Sequence, residues 1–506
     1  MARIRLASLA LALALLLTGC ASRQRTGDSQ RDIPLPEPTP ESENMILGER
    51  LPTRLSNVSL YYAMSDGATF SQVSMGVSAE TGQSLPEAAV NALLGSSGSE
   101  SMYFSTGDTR MLSCEYACGI ATVDLSIDAR NVQSEQEELA LLTAIGNTLL
   151  GISGVRGVNV LVGGQSESFG QLPMGVQTEV IPSVTASYAQ LLAERDHLVT
   201  DSPMPISRMA TLYFPTSDGN WLVPELRKVT FNSNDFTGAL IEALKAGPLA
   251  EECAVASIPT GVELLDPNPK TETLSTGEHV LQLNFSPTLA NYLAFSGLDV
   301  WELAGSLTLT VCSFLPEIDA VRILVNGDPI TICQIGSTVM QFEDGLIRRS
   351  DFAPRIGSVA TLYLADARGA LHPVRRAVST RSALSPRNLL NELFSQTRRR
   401  EDGLSFPAPS GVSADDVLGI QLSGQIARVN LSANLYRACL SLDAQAERGM
   451  IYCMVNTLCG LDTSIRAVRF YVEGLAADSL AGNVYLKNPL MPNPGIVVQP
   501  ESTDAP

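Results

Sequence analysis

An aromatic-bearing strand pattern recurs three times along this chain at nearly constant spacing. Leu60-Tyr61-Tyr62, Leu212-Tyr213-Phe214 and Leu362-Tyr363-Leu364 lie 152 and then 150 residues apart. Such a period constrains the fold more than any local propensity, because every copy must solve the same packing problem. A turn and a second alternating stretch follow each time. Copy two has Asp218-Gly219, then Leu222-Val223-Pro224, Arg227 and Val229; copy three has Gly369, then Leu371, Pro373, Arg376 and Val378. Copy one keeps Asp66-Gly67 and Val77 without the proline and the arginine. Alternation around a glycine turn predicts a β-hairpin.

A helix is predicted next in each copy, over residues 84–94, 236–246 and 385–395. Ser84 and Ser385 stand where N-caps belong, with Pro86 and Pro386 in the first turns, and Gly247-Pro248 is a stop signal. Ala89, Leu93 and Leu94 share one helical face, as do Leu240, Ala243 and Leu244, and Leu389, Leu390 and Leu393. A strand then recurs as Val123-Asp124-Leu125-Ser126, Leu283-Asn284-Phe285-Ser286 and Val429-Asn430-Leu431-Ser432. Asp124, Asn284 and Asn430 are expected on its outer side, where alanine would serve as well.

A longer helix follows. Ser134 with Glu137, and Asp299 with Glu302, have capping-box spacing. Leu139, Leu142, Ile145 and Leu149 mark its buried face; Trp301, Leu303 and Leu307, then Met450, Met454 and Leu458, do the same in the other copies. Last strands are predicted over 158–163, 321–327 and 468–474, two of them sharing Val-Arg-x-x-Val-x-Gly. Each copy thus reads strand, strand, helix, strand, helix, strand, with room for extra strands before Val-x-Leu-Ser. The predicted fold class is α+β: three tandem small modules, each a mixed β-sheet with two helices packed on one face. The expected organisation is a signal at 1–19, a Pro-rich tether at 20–54, and modules at 55–170, 205–335 and 357–480. Linkers are expected at 171–204 (with a short helix over 186–195) and 336–356, and a disordered tail at 481–506.

At the N-terminus, Arg3 and Arg5 precede an apolar run from Leu6 to Leu17. About a dozen apolar residues fall short of the roughly 20 that span a bilayer, and the pattern is that of a secretory signal. Leu17-Thr18-Gly19-Cys20 resembles a bacterial lipobox, which implies cleavage before Cys20 and lipid on its thiol. An ordinary signal with an incidental cysteine is the alternative. Pro34, Pro36, Pro38 and Pro40 keep the following stretch extended, as a tether.

Taken in order, the aromatic first strand, the Asp-Gly turn with Leu-Val-Pro and Arg, the Val-x-Leu-Ser strand, the helix end Asn147-Thr148-Leu149 or Asn456-Thr457-Leu458, and the Val-Arg-x-x-Val-x-Gly strand resemble the GerMN domain. That family occurs in sporulation and spore germination lipoproteins of spore-forming bacteria. The resemblance covers Leu55 to Gly474 as three copies, where the best-known members carry two. Copy two departs from it, reading Thr310-Val311-Cys312 at the helix end. The resemblance implies a scaffolding or oligomerising module similar to the ring-building folds of secretion machines. Its implied partners are spore-envelope proteins or further copies of itself. The implied location is the extracytoplasmic face of a membrane, the outer forespore membrane among the candidates.

Formal net charge is −19, and −21 without Arg3 and Arg5, which argues against nucleic acid as a partner. Neither a Cys-x-x-Cys pair nor a His-Glu-x-x-His, Gly-x-Ser-x-Gly or phosphate-loop motif occurs, and His197, His279 and His372 are far apart. No catalytic residue, metal site or cofactor is therefore expected. Cys114 with Cys118, and Cys453 with Cys459, are close enough in sequence for disulfides, with buried free thiols as the alternative. Arg227 and Arg376 are candidate partner-binding residues, the alternative being hairpin salt bridges. Two functions follow: a membrane-anchored, non-catalytic scaffold of sporulation or germination, or an exported binder of cell-wall glycan or a small ligand.

Overall fold

The computed structural model describes residues 46–50, 54–64, 68–80, 82–95, 108–132, 134–170, 172–198, 205–231, 235–267, 269–395, 403–461 and 465–498. The signal, Cys20, most of the expected tether and the Asp66-Gly67 turn lie outside the described residues.

Strand β1 (Gly48–Arg50) precedes the first hairpin, β2 (Arg54–Ala63) and β3 (Phe70–Ala79). Helix α1 (Leu85–Gly95) leads to a sheet ordered β4 (Met111–Ala117), β5 (Ile120–Leu125), β6 (Gly157–Val162), β7 (Gln165–Ser166). β5 and β6 are parallel and joined by α2 (Glu135–Leu150); the other pairs are antiparallel. Short strands β8 (Ser168–Phe169) and β9 (Leu172–Pro173) and helix α3 (Val184–Leu198) follow.

Module two repeats the plan with hairpin β10 (Ile206–Pro215) and β11 (Leu222–Phe231), then α4 (Phe236–Lys245). Its sheet is β12 (Thr271–Thr273), β13 (His279–Phe285), β14 (Ala320–Val325) and β15 (Asp328–Pro329), with α5 (Thr288–Ser296) and α6 (Val300–Cys312) in the crossover. Hairpin β16 (Ile332–Ile335) and β17 (Thr338–Gln341) and the short α7 (Arg349–Phe352) close it. Module three has hairpin β18 (Gly357–Ala365) and β19 (Leu371–Ser379), then α8 (Pro386–Ser395). Its sheet strands are β20 (Val417–Ser423), β21 (Ile426–Leu431), β22 (Ala467–Val472) and β23 (Leu475–Ala476). Helices α9 (Ala433–Cys439) and α10 (Ala444–Leu461) lie between β21 and β22.

The α+β class stands, with the strands divided in two. Among the described residues each aromatic strand has its hairpin partner as its one paired strand, with an isolated bridge from Ala365 to Ser405 besides, and the extra strands before Val-x-Leu-Ser are β4, β12 and β20. What joins hairpin to sheet is the long helix, through one repeated hydrogen bond. The N–H groups of Tyr61, Tyr213 and Tyr363 donate to the hydroxyls of Thr148, Thr310 and Thr457 at 2.9, 3.1 and 2.9 Å. All three threonines are buried. This register corrects the sequence alignment by one residue: copy two reads Leu309-Thr310-Val311 at the helix end, so the threonine is kept, leucine replaces the asparagine and valine the leucine.

The polar residues of Val-x-Leu-Ser also change role. Oδ1 of Asp124, Asn284 and Asn430 accepts the N–H of Gly164, Gly327 and Gly474 at 2.8, 3.0 and 2.8 Å. These glycines end tight turns in which both central residues have positive φ, as at Asn326 and Gly327 or Glu473 and Gly474. The side chain reaches across to clip the turn, and Asn430 is fully buried. They are not strand-surface residues.

The expected linkers and tail are likewise packed. After its sheet each module sends the chain back to bridge the second of the two parallel strands: Gln177 to Val158 on β6, Ile347 to Val321 on β14, Leu490 to Val468 on β22. Buried Leu172 and Val184, Ile347 and Phe352, and Leu480 and Leu486 hold these segments down. In module three the buried Glu447 carboxylate accepts N–H bonds from Leu480, Ala481 and Asn483 and the hydroxyl of Ser479, at 2.7–3.1 Å. The described residues of 171–204, 336–356 and 481–506 are thus packed against the modules, through apolar side chains that bury. The end of the expected tether is ordered as well: β1 pairs in parallel with β20.

Replacing Thr457 by valine keeps the volume and leaves the Tyr363 N–H without its acceptor, which should cost about 1–3 kcal/mol. Asn430→Ala should cost about as much. Urea unfolding of each variant checks this; an unchanged midpoint for Asn430→Ala would return that residue to a surface role.

Candidate functional site

The three modules belong to one compact unit, and the chemistry gathered at their contacts is polar and ionic. Arg349, at the start of α7 in module two, reaches Glu115 on β4 of module one. One guanidinium nitrogen lies 3.1 Å from Glu115 Oε1, a second pairs with Oε2, and Nε donates to Ser313 Oγ at 3.4 Å. The two side chains are only 12% and 21% exposed. Burial opposes the charge of Arg349, and Glu115 with the Tyr213 hydroxyl more than offsets this, holding the guanidinium above its ordinary range. Beside this pair, Asn159 Nδ2 donates to the Ser313 carbonyl at 2.9 Å, and the Val176 N–H to the Met209 carbonyl at 2.8 Å. Ala117 and Leu172 of module one sit in the core of module two.

Module three meets both others. The N–H of Cys118, at the tip of the β4–β5 turn, donates to Ser358 Oγ on β18 at 3.2 Å, and Arg375 on β19 pairs with Glu252 at 2.5 Å. A cleft of 360 Å³ lies between modules one and three, its ionic lining groups being Arg156 and Arg375. A second of 360 Å³ lies between modules two and three, lined by Asp218, Glu252, Cys253, Arg375 and Arg376.

The two arginines singled out from sequence fare differently. Arg227 pairs with Glu225 two residues away on β11, and its Nη2 donates to the Gly247 carbonyl at 2.5 Å, tying down the end of α4. Arg376 lines the cleft between modules two and three. They occupy equivalent places, opposite Ala210 and Ala360 in their hairpins, and are not brought into one site. Arg349 and Glu115 were not legible: they are 234 residues apart and match no motif.

A larger groove, of 510 Å³, runs in module one between α2, β6 and α3, with Leu139, Val158, Met174 and Ile181 in its walls and Glu167, Glu194 and Arg208 among its polar groups. Beside it Glu138 on α2 meets Glu167, which is paired with Arg130 at 2.6 Å. Burial, then the hydrogen bond and charge of Glu167, push Glu138 up to about 7. Among the described residues no three His, Cys, Asp or Glu side chains gather as metal ligands. The eight described cysteines are all free, so neither sequence-adjacent pair is a disulfide. Burial pushes the thiols of Cys114, Cys312 and Cys439 up to about 12 and those of Cys333 and Cys459 to about 11, which suits packing and not nucleophilic attack.

Fold and contacts together define a chain of three copies of one α+β module fused through polar interfaces. The family described as Germane: Sporulation and spore germination matches residues 59–168, 211–331 and 361–478, more than half of the chain, and the chain belongs to it. A role related to sporulation or germination follows from that membership. Among solved structures, the tandem GerMN domains of the sporulation protein GerM from Bacillus subtilis match at 16% identity and a TM-score of 0.22, over 57% of this chain and 98% of theirs. The first GerMN domain of the same protein matches at 20% identity and a TM-score of 0.21, over 28% of this chain and 98% of that one. No curated protein matches this chain.

Arg349→Met strands the Glu115 carboxylate and should destabilise the chain by about 3 kcal/mol. Adding Glu115→Gln should restore part of that loss in chemical unfolding; fully additive losses would mean the two do not interact. Glu138 gives a pH dependence. Its value in the folded chain is raised, so the folded state holds more protons than the unfolded state between about 4.5 and about 7, and stability falls as pH rises through that window. Glu138→Gln should therefore stabilise at pH 8 by roughly 1 kcal/mol, allowing for solvent screening of a half-exposed group, and flatten the melting temperature between pH 5 and 7.

Proposed function

We propose that this protein is a membrane-anchored, non-catalytic scaffold of sporulation or spore germination, held by lipid on Cys20 at the extracytoplasmic face of a membrane, the outer forespore membrane being the expected one. The observation that carries this reading is the set of contacts between modules, Arg349–Glu115 and Asn159–Ser313 joining modules one and two, Cys118–Ser358 and Arg375–Glu252 joining module three to both. A scaffold needs its surfaces presented in fixed relative positions, and buried ionic contacts between modules supply that constraint. Its partners would be spore-envelope proteins or further copies of the chain. No described helix is long and apolar enough to cross a membrane. The 510 Å³ groove of module one favours one other reading, an exported binder of a small ligand or glycan.

Cys20→Ala should move the protein from the membrane fraction to the soluble fraction, since a lipid anchor of this kind depends on that thiol. The same strain should form spores poorly, because the scaffold would no longer sit at its membrane. Sedimentation with membranes in high salt despite the substitution would refute the anchor. Normal spore yield and germination in a strain lacking the whole gene would shift the assignment to the ligand-binding reading.

A further inference from the structure

The segment ahead of module one is seated on module three in a way that reads individual side chains. β1 adds to the outer edge of β20, Gly48 opposite Gly419 and Glu49 opposite Ile420. Ile46 is buried, and its carbonyl accepts a bond from Asn430 Nδ2 at 2.9 Å. The Glu49 carboxylate accepts from the Ser385 hydroxyl at 2.9 and 3.0 Å and from the Arg387 N–H at 3.3 Å, at the start of α8. An apolar anchor, a backbone ladder and a carboxylate receptor are thus set out along four residues.

Gly419 makes the approach feasible. Its φ is not positive, so conformational freedom does not explain it. A Cβ there would lie 2.6 Å from the carbonyl oxygens of Ile46 and Gly48 and 2.9 Å from the Gly48 nitrogen, all backbone atoms that cannot rotate away. The corresponding strand of module one carries a side chain at this point. β4 and β20 share a register irregularity near their starts, after which Ser113 stands where Gly419 stands. Among the described residues no strand pairs with the outer edge of β4 or β12. Among the described residues, an occupied outer edge is found in module three alone.

We infer that the β20 edge, with Gly419, Asn430, Ser385 and the start of α8, is a peptide-binding site for an extended segment bearing an aliphatic residue, a glycine two positions on and a carboxylate one further. The chain's own Ile46–Arg50 is its resident occupant. Strand addition of this kind takes affinity from the main chain and specificity from the pockets between strands. The occupant is short: three residues pair along a seven-residue strand, and Leu47 is exposed. Few buried contacts and an edge position put such a strand at the low-stability end of a fold, where local opening is frequent.

The test displaces the resident strand in the full chain with Ile46→Asp plus Glu49→Lys, neither of which alters the acceptor, and adds a fluorescent peptide of residues 45–51. Fluorescence anisotropy should show the peptide binding the displaced chain at least ten-fold tighter than the unaltered one. Gly419→Val in the displaced chain should abolish binding. Peptides carrying the Ile→Asp or Glu→Lys change should bind at least ten-fold more weakly, which tests recognition without altering the protein further. Failure to bind the displaced chain, or equal binding of all three peptides, would overturn the site. Global unfolding of the displaced chain would overturn it too, since the strand would then be a permanent part of the fold.

Discussion

A two-stranded hairpin has no third strand to take the N–H groups along its outer edges, and burying those groups against a helix without another acceptor would leave them unpaired. The threonine near the end of each long helix answers this. Thr148, Thr310 and Thr457 present a hydroxyl to the tyrosine N–H of the aromatic strand, so the hairpin can be covered without a stranded donor. The helix in turn is the crossover between the two parallel strands of the sheet. One hydroxyl therefore fixes the hairpin to the sheet in every module, and the rest of the packing is arranged around that docking. The asparagine beside it extends the hold where present. Asn147 bonds both polar groups of the Ile181 backbone, and Asn456 accepts from the Asn493 N–H. Leu309 does neither, and in module two the returning segment is held by Phe352, whose ring presses on Gly305 of the same helix.

How much of this was legible depends on the range of each interaction. Local signals were clear: Ser84 and Ser134 cap their helices, and the Glu302 carboxylate accepts the Asp299 N–H as one half of a capping box. The repeat order followed from periodicity, and the Thr-containing helix end was visible as a motif, though not what it bonds. From sequence the segments 171–204, 336–356 and 481–506 are expected as two linkers and a disordered tail. Their described residues nonetheless bury side chains, Leu172 on β9, Phe352 on α7 and Leu486 in an irregular stretch. The contacts between modules left no trace, since Glu115 and Arg349 are common residue types far apart in sequence.

The same helix position carries opposite electrostatics in two modules. Counting back from Thr148 and Thr457, Glu138 and Glu447 correspond. Burial would raise both carboxyls. At Glu447 the N–H groups of Ala481 and Asn483 and the hydroxyl of Ser479 outweigh it and hold the carboxyl below its usual range. At Glu138 the neighbour is another carboxylate, and the value rises to about 7. Module two has Val300 there and avoids the question. Copies of one fold thus keep their main-chain geometry while a single position serves as a segment anchor, a proton-sharing pair or plain packing.

The pairing of Ile46 with Asn430 spans 384 residues of chain. Synthesis delivers about 5–20 residues per second and domains fold as they emerge, so the N-terminal segment waits roughly 20–80 s for its edge strand to exist. During that interval modules one and two can complete their own cores while the segment stays unpaired and open to whatever processes the start of the chain. Seating of β1 then reports that the third module has been made and folded. The first residues of the body are the last to find their place.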